Sequence, residues 1–256
     1  MTKMYSISRG DVLFIVLVML LVGFALGAAF APEKIVSGEN AKAPVKVEGE
    51  RVVEMGIPAI DMEGNGVIAK LITTIRPGTG QVLVNINDVF AQFDTQLSGR
   101  SAARAVSNVT LADLSSVDII YDIKVNASIV EGPSAGASMA ASIFLALNNI
   151  KSADDVMMTG TISDDGSIGQ VGSVKEKAGI AKKEGARLLL VPENQSMEET
   201  STRIKTCKQV DAVEVCNIKY QYGNMNIGSS LNLTVVEVRT LEDVIKIYTK
   251  GVPTSS

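Results

Sequence analysis

Histidine does not occur in the 256 residues of this chain. The commonest general base of hydrolytic enzymes is therefore missing, and every Ser-His-acid or Cys-His arrangement is excluded. Cysteine is nearly as scarce: Cys207 and Cys216 stand alone, and one pair does not make a zinc site. A net charge of -4 with 4% aromatic residues provides neither a basic stripe nor a stacking platform, which excludes nucleic acid as a partner. Phosphate loops are lacking as well, since Gly78 and Gly80 have neither the lysine nor the third glycine that such loops use. No cofactor and no metal is expected.

What is there has the make-up of a folded protein, 46% hydrophobic and 20% charged. The length suits one domain of about 200 residues with some extra sequence. Part of the extra is VLFIVLVMLLVGFALGAAFA, residues 12–31, which holds no charge. In helical form, at about 1.5 Å per residue, it spans one bilayer core, and a core helix is rarely apolar on every face for this length. Lys3 and Arg9 precede it as in a secretory leader, and Ala29-Phe30-Ala31 has the form of a cleavage site, but Pro32 follows directly. We therefore expect a tail at 1–11 and an uncleaved transmembrane signal anchor at 12–31, in a single-pass protein of the cell membrane. Lys34, Lys42 and Lys46 offset Lys3 and Arg9 in a positive-inside count. Export of a long domain behind a short leader then puts that domain on the extracytoplasmic side. Cys207 and Cys216 admit two readings, a loop disulfide in an oxidising compartment or two unpaired thiols. Four N-x-[ST] triplets, at Asn108, Asn126, Asn194 and Asn232, are too easily formed by chance to locate the chain.

Residues 32–50 are polar, carry two prolines and show no period, so they read as a linker. The folded domain is expected at 51–250, ahead of a tail at 251–256. VIAKLITTI and QVLVNI, separated by Arg76-Pro77-Gly78-Thr79-Gly80, predict a hairpin, followed by a small-residue helix around 95–107 and a strand in VDIIYDIKV. Met139, Ile143 and Leu147 at four-residue spacing predict a helix running on from Ser134. Asp164-Asp165-Gly166 predicts a tight hairpin, SVKEKAGIAKKEG a helix closed by Gly185, and RLLLVP a strand. Residues 194–232 show no clean period and read as an irregular excursion. LTVVEV is a strand, and Thr240 to Asp243 a capping box for a closing helix up to Lys250. Strands and helices mix without a βαβ repeat, which predicts an α+β fold.

Gly132-Pro133-Ser134-Ala135-Gly136 fits the G-x-S-x-G pattern of a nucleophilic serine set before a helix. A serine hydroxyl needs a base, and without histidine a carboxylate or a desolvated lysine must serve. Val174, Lys177, Ala178 and Ala181 stand at i, i+3, i+4 and i+7, a small apolar face that turns Lys177 inward. The alternative is a snorkelling lysine whose stem covers apolar surface while its ammonium stays in water.

The ordered set GPSAG, MTG, the D-G hairpin, K-E-K, LLLVPEN and the closing LTVVEVRTLEDVIKIY resembles the proteolytic domain of the Lon family of Ser-Lys endopeptidases. The similarity is close over residues 118–194. It implies that Ser134 is the nucleophile and Lys177, the second lysine of K-E-K, its base. Thr159 matches the position that hydrogen-bonds the lysine. Glu131 takes the place of an acid before GPSAG, with positioning or substrate contact as its role and a solvated loop acid as its alternative. The first amides of the helix, that of Ala135 among them, suit a developing oxyanion. The resemblance further implies unfolded or flexible polypeptides as substrates and leaves a homo-oligomer open. The family's ATPase module is not found in these residues, so cleavage without nucleotide is expected. The stretch at 194–232 is longer than the family's link and the one between Tyr121 and Glu131 shorter. A catalytically silent peptide-binding module of the same fold, and a protein that only processes itself, are the competing functions.

Overall fold

A computed structural model of the chain describes residues 41–85, 93–125, 132–210 and 213–251, together with the helical positions Gly10, Phe14, Leu17 and Met19. The chain divides into two units, Met1–Asn40 and Ala41–Ser256. Among the described residues no helix is long and apolar enough to cross a membrane. The apolar run at 12–31 lies almost wholly outside the described residues.

The second unit is a mixture of sheets and helices, as expected for an α+β chain. Its strands are β1 (Ala43–Pro44), β2 (Arg51–Ile60), β3 (Gly66–Pro77), β4 (Val82–Asn85), β5 (Ala112–Asp113), β6 (Val117–Val125), β7 (Val156–Met158), β8 (Thr161–Ile162), β9 (Ile168–Gly169), β10 (Leu188–Pro192), β11 (Met197–Val210), β12 (Val213–Asn226) and β13 (Thr234–Val238). The helices are α1 (Phe93–Thr110), α2 (Gly136–Leu147), α3 (Val174–Lys183), α4 (Ile227–Leu231) and α5 (Leu241–Lys250). A four-stranded sheet runs β2-β3-β6-β4, and a three-stranded parallel sheet runs β13-β10-β7.

Helix α2 forms the centre. Ten of its twelve residues are buried, all except Phe144 and Leu147. A helix enclosed on all sides must let its neighbours come close, which explains its run of Gly, Ala and Ser. Its buried hydroxyls are satisfied: Ser138 Oγ donates to Met158 O at 3.2 Å, and Ser142 Oγ lies 2.7 Å from Thr73 Oγ1. Tyr121, Leu71, Ile75, Ile119, Met139 and Leu241 complete this core. A second, smaller apolar cluster gathers Val174, Ala178 and Ala181 of α3 with Leu189, Val191 and Ile227.

Three sequence expectations need correction. The segments either side of Arg76-Pro77-Gly78-Thr79-Gly80 do not form a hairpin with one another. β3 pairs with β2 and β6, and β4 pairs in parallel with the far edge of β6. The Asp118 carboxylate accepts from Thr79 N at 2.8 Å and Gln81 N at 3.1 Å, and so leads the chain over the end of β6. Gly78 is required there, since a Cβ would fall 2.1 Å from Asp118 Cγ.

The linker expected at 32–50 ends earlier than its polarity suggested. Ala43–Pro44 pairs with Ala112–Asp113, and Val47 is buried in the main core. Residues 194–232 are no irregular excursion either: β11 and β12 form an antiparallel ribbon in register from Met197↔Asn226 to Val210↔Val213. Both faces of the ribbon meet solvent, with Tyr222, Tyr220 and Val215 exposed, so nothing imposes the in-out alternation by which strands are recognised. Cys207 and Cys216 face each other across it and are joined as a disulfide. Their sulfurs and the Glu214 carboxylate lie close together, but thiolates tied in a disulfide are not free to ligate a metal.

Candidate active site

Ser134 sits in a single 3-10 turn, Pro133–Ala135, that leads into α2. Proline at the first position of a turn loses no hydrogen bond it would have made, and its fixed φ suits helical entry. Gly132, before it, has φ 101°, in the left-handed region where a side chain would be strained. Gly136, after it, has no room for a Cβ, which would lie 2.8 Å from Ile162 Cγ2 and 3.1 Å from Ile162 N. The two glycines of GPSAG thus serve different needs, a backbone turn before the serine and close approach to β8 after it. Ser134 itself is half-buried.

The backbone around the serine is tied to the strand that carries Thr159. Gly160 N donates to Ser134 O at 2.9 Å, and Ala137 N donates to Gly160 O at 3.0 Å. Gly136 N donates to Pro133 O. The first two amides of α2 are therefore engaged, which confines the expected oxyanion donors to the turn before it, where Ala135 packs half-buried against the core. Glu131 lies outside the described residues.

Lys177 is 4% exposed, on the same stripe of α3 as buried Val174, Ala178 and Ala181. Of the two readings of its sequence position, the inward one describes the side chain and the snorkelling one does not. Lys182 and Lys183 are exposed, and Lys175 forms an ion pair with Glu198 at 3.0 Å. Burial pushes the Lys177 amine down from 10.5 to about 8, with no neighbouring charge contributing. At pH 7 such an amine is neutral in about one molecule in eleven, against about one in 3,000 at its ordinary value.

Thr159 joins the two side chains' surroundings. Lys177 Nζ donates to Thr159 Oγ1 at 3.4 Å, and Thr159 Oγ1 donates to Ser134 O at 3.4 Å. Thr159 is 1% exposed, at the end of β7, where Thr159 N donates to Leu190 O at 3.0 Å. The amine on α3 is thereby two long hydrogen bonds from the backbone of Ser134, in a dry setting. A buried neutral amine can accept the proton of a serine hydroxyl that comes within hydrogen-bond reach of it.

The "Lon protease (S16) C-terminal proteolytic domain" matches residues 55–219. The chain belongs to this family. It is 38% identical over 103 residues to Lon protease 2 of Bacillus subtilis, covering 39% of this chain and 17% of that protein. It is 31% identical over 147 residues to Lon protease of Roseiflexus castenholzii, covering 56% and 18% of the two. With the archaeal Lon protease of Methanocaldococcus jannaschii the identity is 27% over 157 residues, covering 57% and 24%. The chain thus matches about a quarter or less of the length of these Lon relatives.

Two features of this Lon-type site escaped sequence reasoning. Gly160 brackets the serine turn through both its backbone groups, and its place in the MTG motif does not announce that role. Gln195 hydrogen-bonds the loop before α3, and a polar residue after a strand carries no signal of such a contact.

Proposed function

We propose that the chain is a serine endopeptidase working through Ser134 and Lys177. Ser134 Oγ adds to the peptide carbonyl carbon while its proton passes to neutral Lys177 Nζ. The lysine ammonium then protonates the departing amine, leaving an acyl-serine. In the second half the lysine takes a proton from water, whose oxygen adds to the acyl carbon, and the ammonium returns that proton to Ser134 Oγ as the acyl–oxygen bond breaks and the new carboxyl group leaves. Thr159 orients the amine, and the positive end of the α2 dipole favours negative charge on the carbonyl oxygen. Glu131 is assigned to positioning or to substrate contact. A carboxylate beside Lys177 would raise its pKa and oppose its role as base.

The observation that carries this reading is the buried Lys177 amine, bonded to the Thr159 hydroxyl that is itself bonded to Ser134 O. The substrates proposed are flexible or unfolded polypeptides, cut without nucleotide, because attack needs an extended peptide and this domain offers no means of unfolding one. We further propose that residues 12–31 anchor the chain in the membrane, with the domain on the extracytoplasmic side. The Cys207–Cys216 disulfide supports an oxidising compartment.

The test uses the 256-residue chain and an unstructured protein such as casein, without ATP. Cleavage is expected, and it should vanish in Ser134→Ala and in Lys177→Ala alike. Undiminished cleavage by Lys177→Ala refutes the pair. No cleavage by well-folded wild-type chain points instead to a peptide-binding module.

A further inference from the structure

The helix that carries Lys177 begins without a side-chain cap. Ser173, its N-cap, has φ 56° and ψ 42° and offers no side-chain hydrogen bond to the first turn. A non-glycine residue in that region must be held by its surroundings. Just upstream, Gln195 supplies the hold. Val171 N donates to Gln195 Oε1 at 2.9 Å, and Gln195 Nε2 donates to Val171 O at 2.7 Å. The side-chain amide thus meets both backbone groups of Val171, as a neighbouring strand would. Val171 in turn packs against the apolar cluster that holds Val174, Ala178 and Ala181, the residues buried with Lys177 on α3.

Gln195 stands at the root of the β11–β12 ribbon, between β10 and β11. Gln195 N donates to Pro192 O at 3.2 Å, and Ser196 N donates to the Glu237 carboxylate at 2.9 Å. A second tie from the same root is the Lys175–Glu198 ion pair. Glu193 pairs with Arg239 on the same stretch. None of these charges contributes to the lowering at Lys177, which comes from burial alone.

We propose that Gln195 is a positioning residue for the Ser134–Lys177 pair, clamping the backbone of Val171 so that the start of α3 and the apolar wall around Lys177 stay closed. The inference rests on the pair proposed above. Gln195→Met keeps the bulk and removes both hydrogen bonds. Without the clamp the loop at 170–173 opens, water reaches the amine, and Lys177 returns toward its ordinary pKa.

The experiment compares the 256-residue chain with Gln195→Met and Gln195→Ala in three readouts: casein cleavage against pH, thermal melting, and amide hydrogen exchange of residues 173–177. The expected result is a fall in kcat of about tenfold at pH 7, with KM within twofold and the pH midpoint of kcat moved upward. Amides 173–177 should exchange faster, while the melting temperature stays within a few degrees of wild type. Wild-type kcat and midpoint, or a change in KM alone, would overturn the proposal. So would loss of folding in both variants, which would make Gln195 structural. Should Lys177→Ala still cleave, the pair itself is refuted. Exchange then decides the clamp without reference to activity: unchanged protection of 173–177 overturns it as well.

Discussion

Lys177 Nζ and Thr159 Oγ1 lie 3.4 Å apart, both residues buried, the one on a helix and the other at a strand end. The hydroxyl has one proton to give and gives it to Ser134 O, so it meets the amine as an acceptor. Thr159→Val preserves shape and removes that acceptor. Its kcat on casein should fall about 10- to 100-fold with little change in KM, and Thr159→Ser should restore most of it. Wild-type kcat in Thr159→Val would show that the threonine only fills space.

A buried amine lowered from 10.5 to about 8 also weighs on stability. At about 1.36 kcal/mol per unit, the folded chain bears a cost of order 3 kcal/mol while folded and unfolded states both carry the proton. Lys177→Met should therefore be inactive yet more stable at pH 7, melting about 5–10 °C higher for a domain of this size. Between about pH 8 and 10.5 the folded wild type has released a proton that the unfolded chain still holds. Wild-type stability then rises relative to the variant, and the gap closes. Calorimetry of the two chains across that window checks both the sign and the range.

The same amine fixes the rate profile. Below about pH 8 the fraction of neutral Lys177 falls tenfold per unit, so kcat should climb with pH and level off above 8. Steady-state rates between pH 6 and about 9.5 would show one ascending limb. A flat profile would contradict a lysine base.

Gly136→Ala puts a methyl group 2.8 Å from Ile162 Cγ2 and 3.1 Å from the Ile162 amide nitrogen, which as backbone cannot easily yield. We expect a loss of about 1–3 kcal/mol by denaturant unfolding and a fall in kcat, because the turn bearing Ser134 shifts with the start of α2. Gly179→Ala is the control. Gly179 lies inside the same helix as Lys177 with nothing within 4 Å of its added Cβ, and its replacement should leave kcat near wild type and raise stability by about 0.5–1 kcal/mol.

The Cys207–Cys216 bond closes a short loop within a ribbon exposed on both faces. Its chain-entropy contribution, about 2–3 kcal/mol, should act on the ribbon alone. The double variant Cys207→Ala/Cys216→Ala should exchange amides faster across 200–224, with residues 136–192 as protected as before. Hydrogen exchange read by mass spectrometry separates the two regions. Deprotection of α2 would show that the ribbon supports the body.

Much of this site could be read in advance because burial leaves a periodic trace. Helical spacing puts Val174, Lys177, Ala178 and Ala181 on one stripe, and all four are buried. Asp164-Asp165-Gly166 and the Thr240–Asp243 capping box are set by chemistry within a few residues, and both form as expected. What escaped depends on partners far along the chain. β4 joins β6 rather than β3 because Asp118 ties down residues 79 and 81, and no local pattern announces that tie. The ribbon reads as irregular chain in the sequence because neither of its faces is buried. Val47 reads as linker because one buried valine among polar neighbours has no period. Gln195 gave no signal for a related reason: its partner is backbone, and backbone is the same in every sequence.

The central claim is that Lys177, linked through Thr159 to the backbone of Ser134, loses its proton near neutrality. Its most direct test is an NMR titration of the Lys177 side chain in the folded wild-type chain, assigned with Lys177→Arg. The account predicts a midpoint near 8. A midpoint above about 10, the value of a solvated lysine, would contradict it.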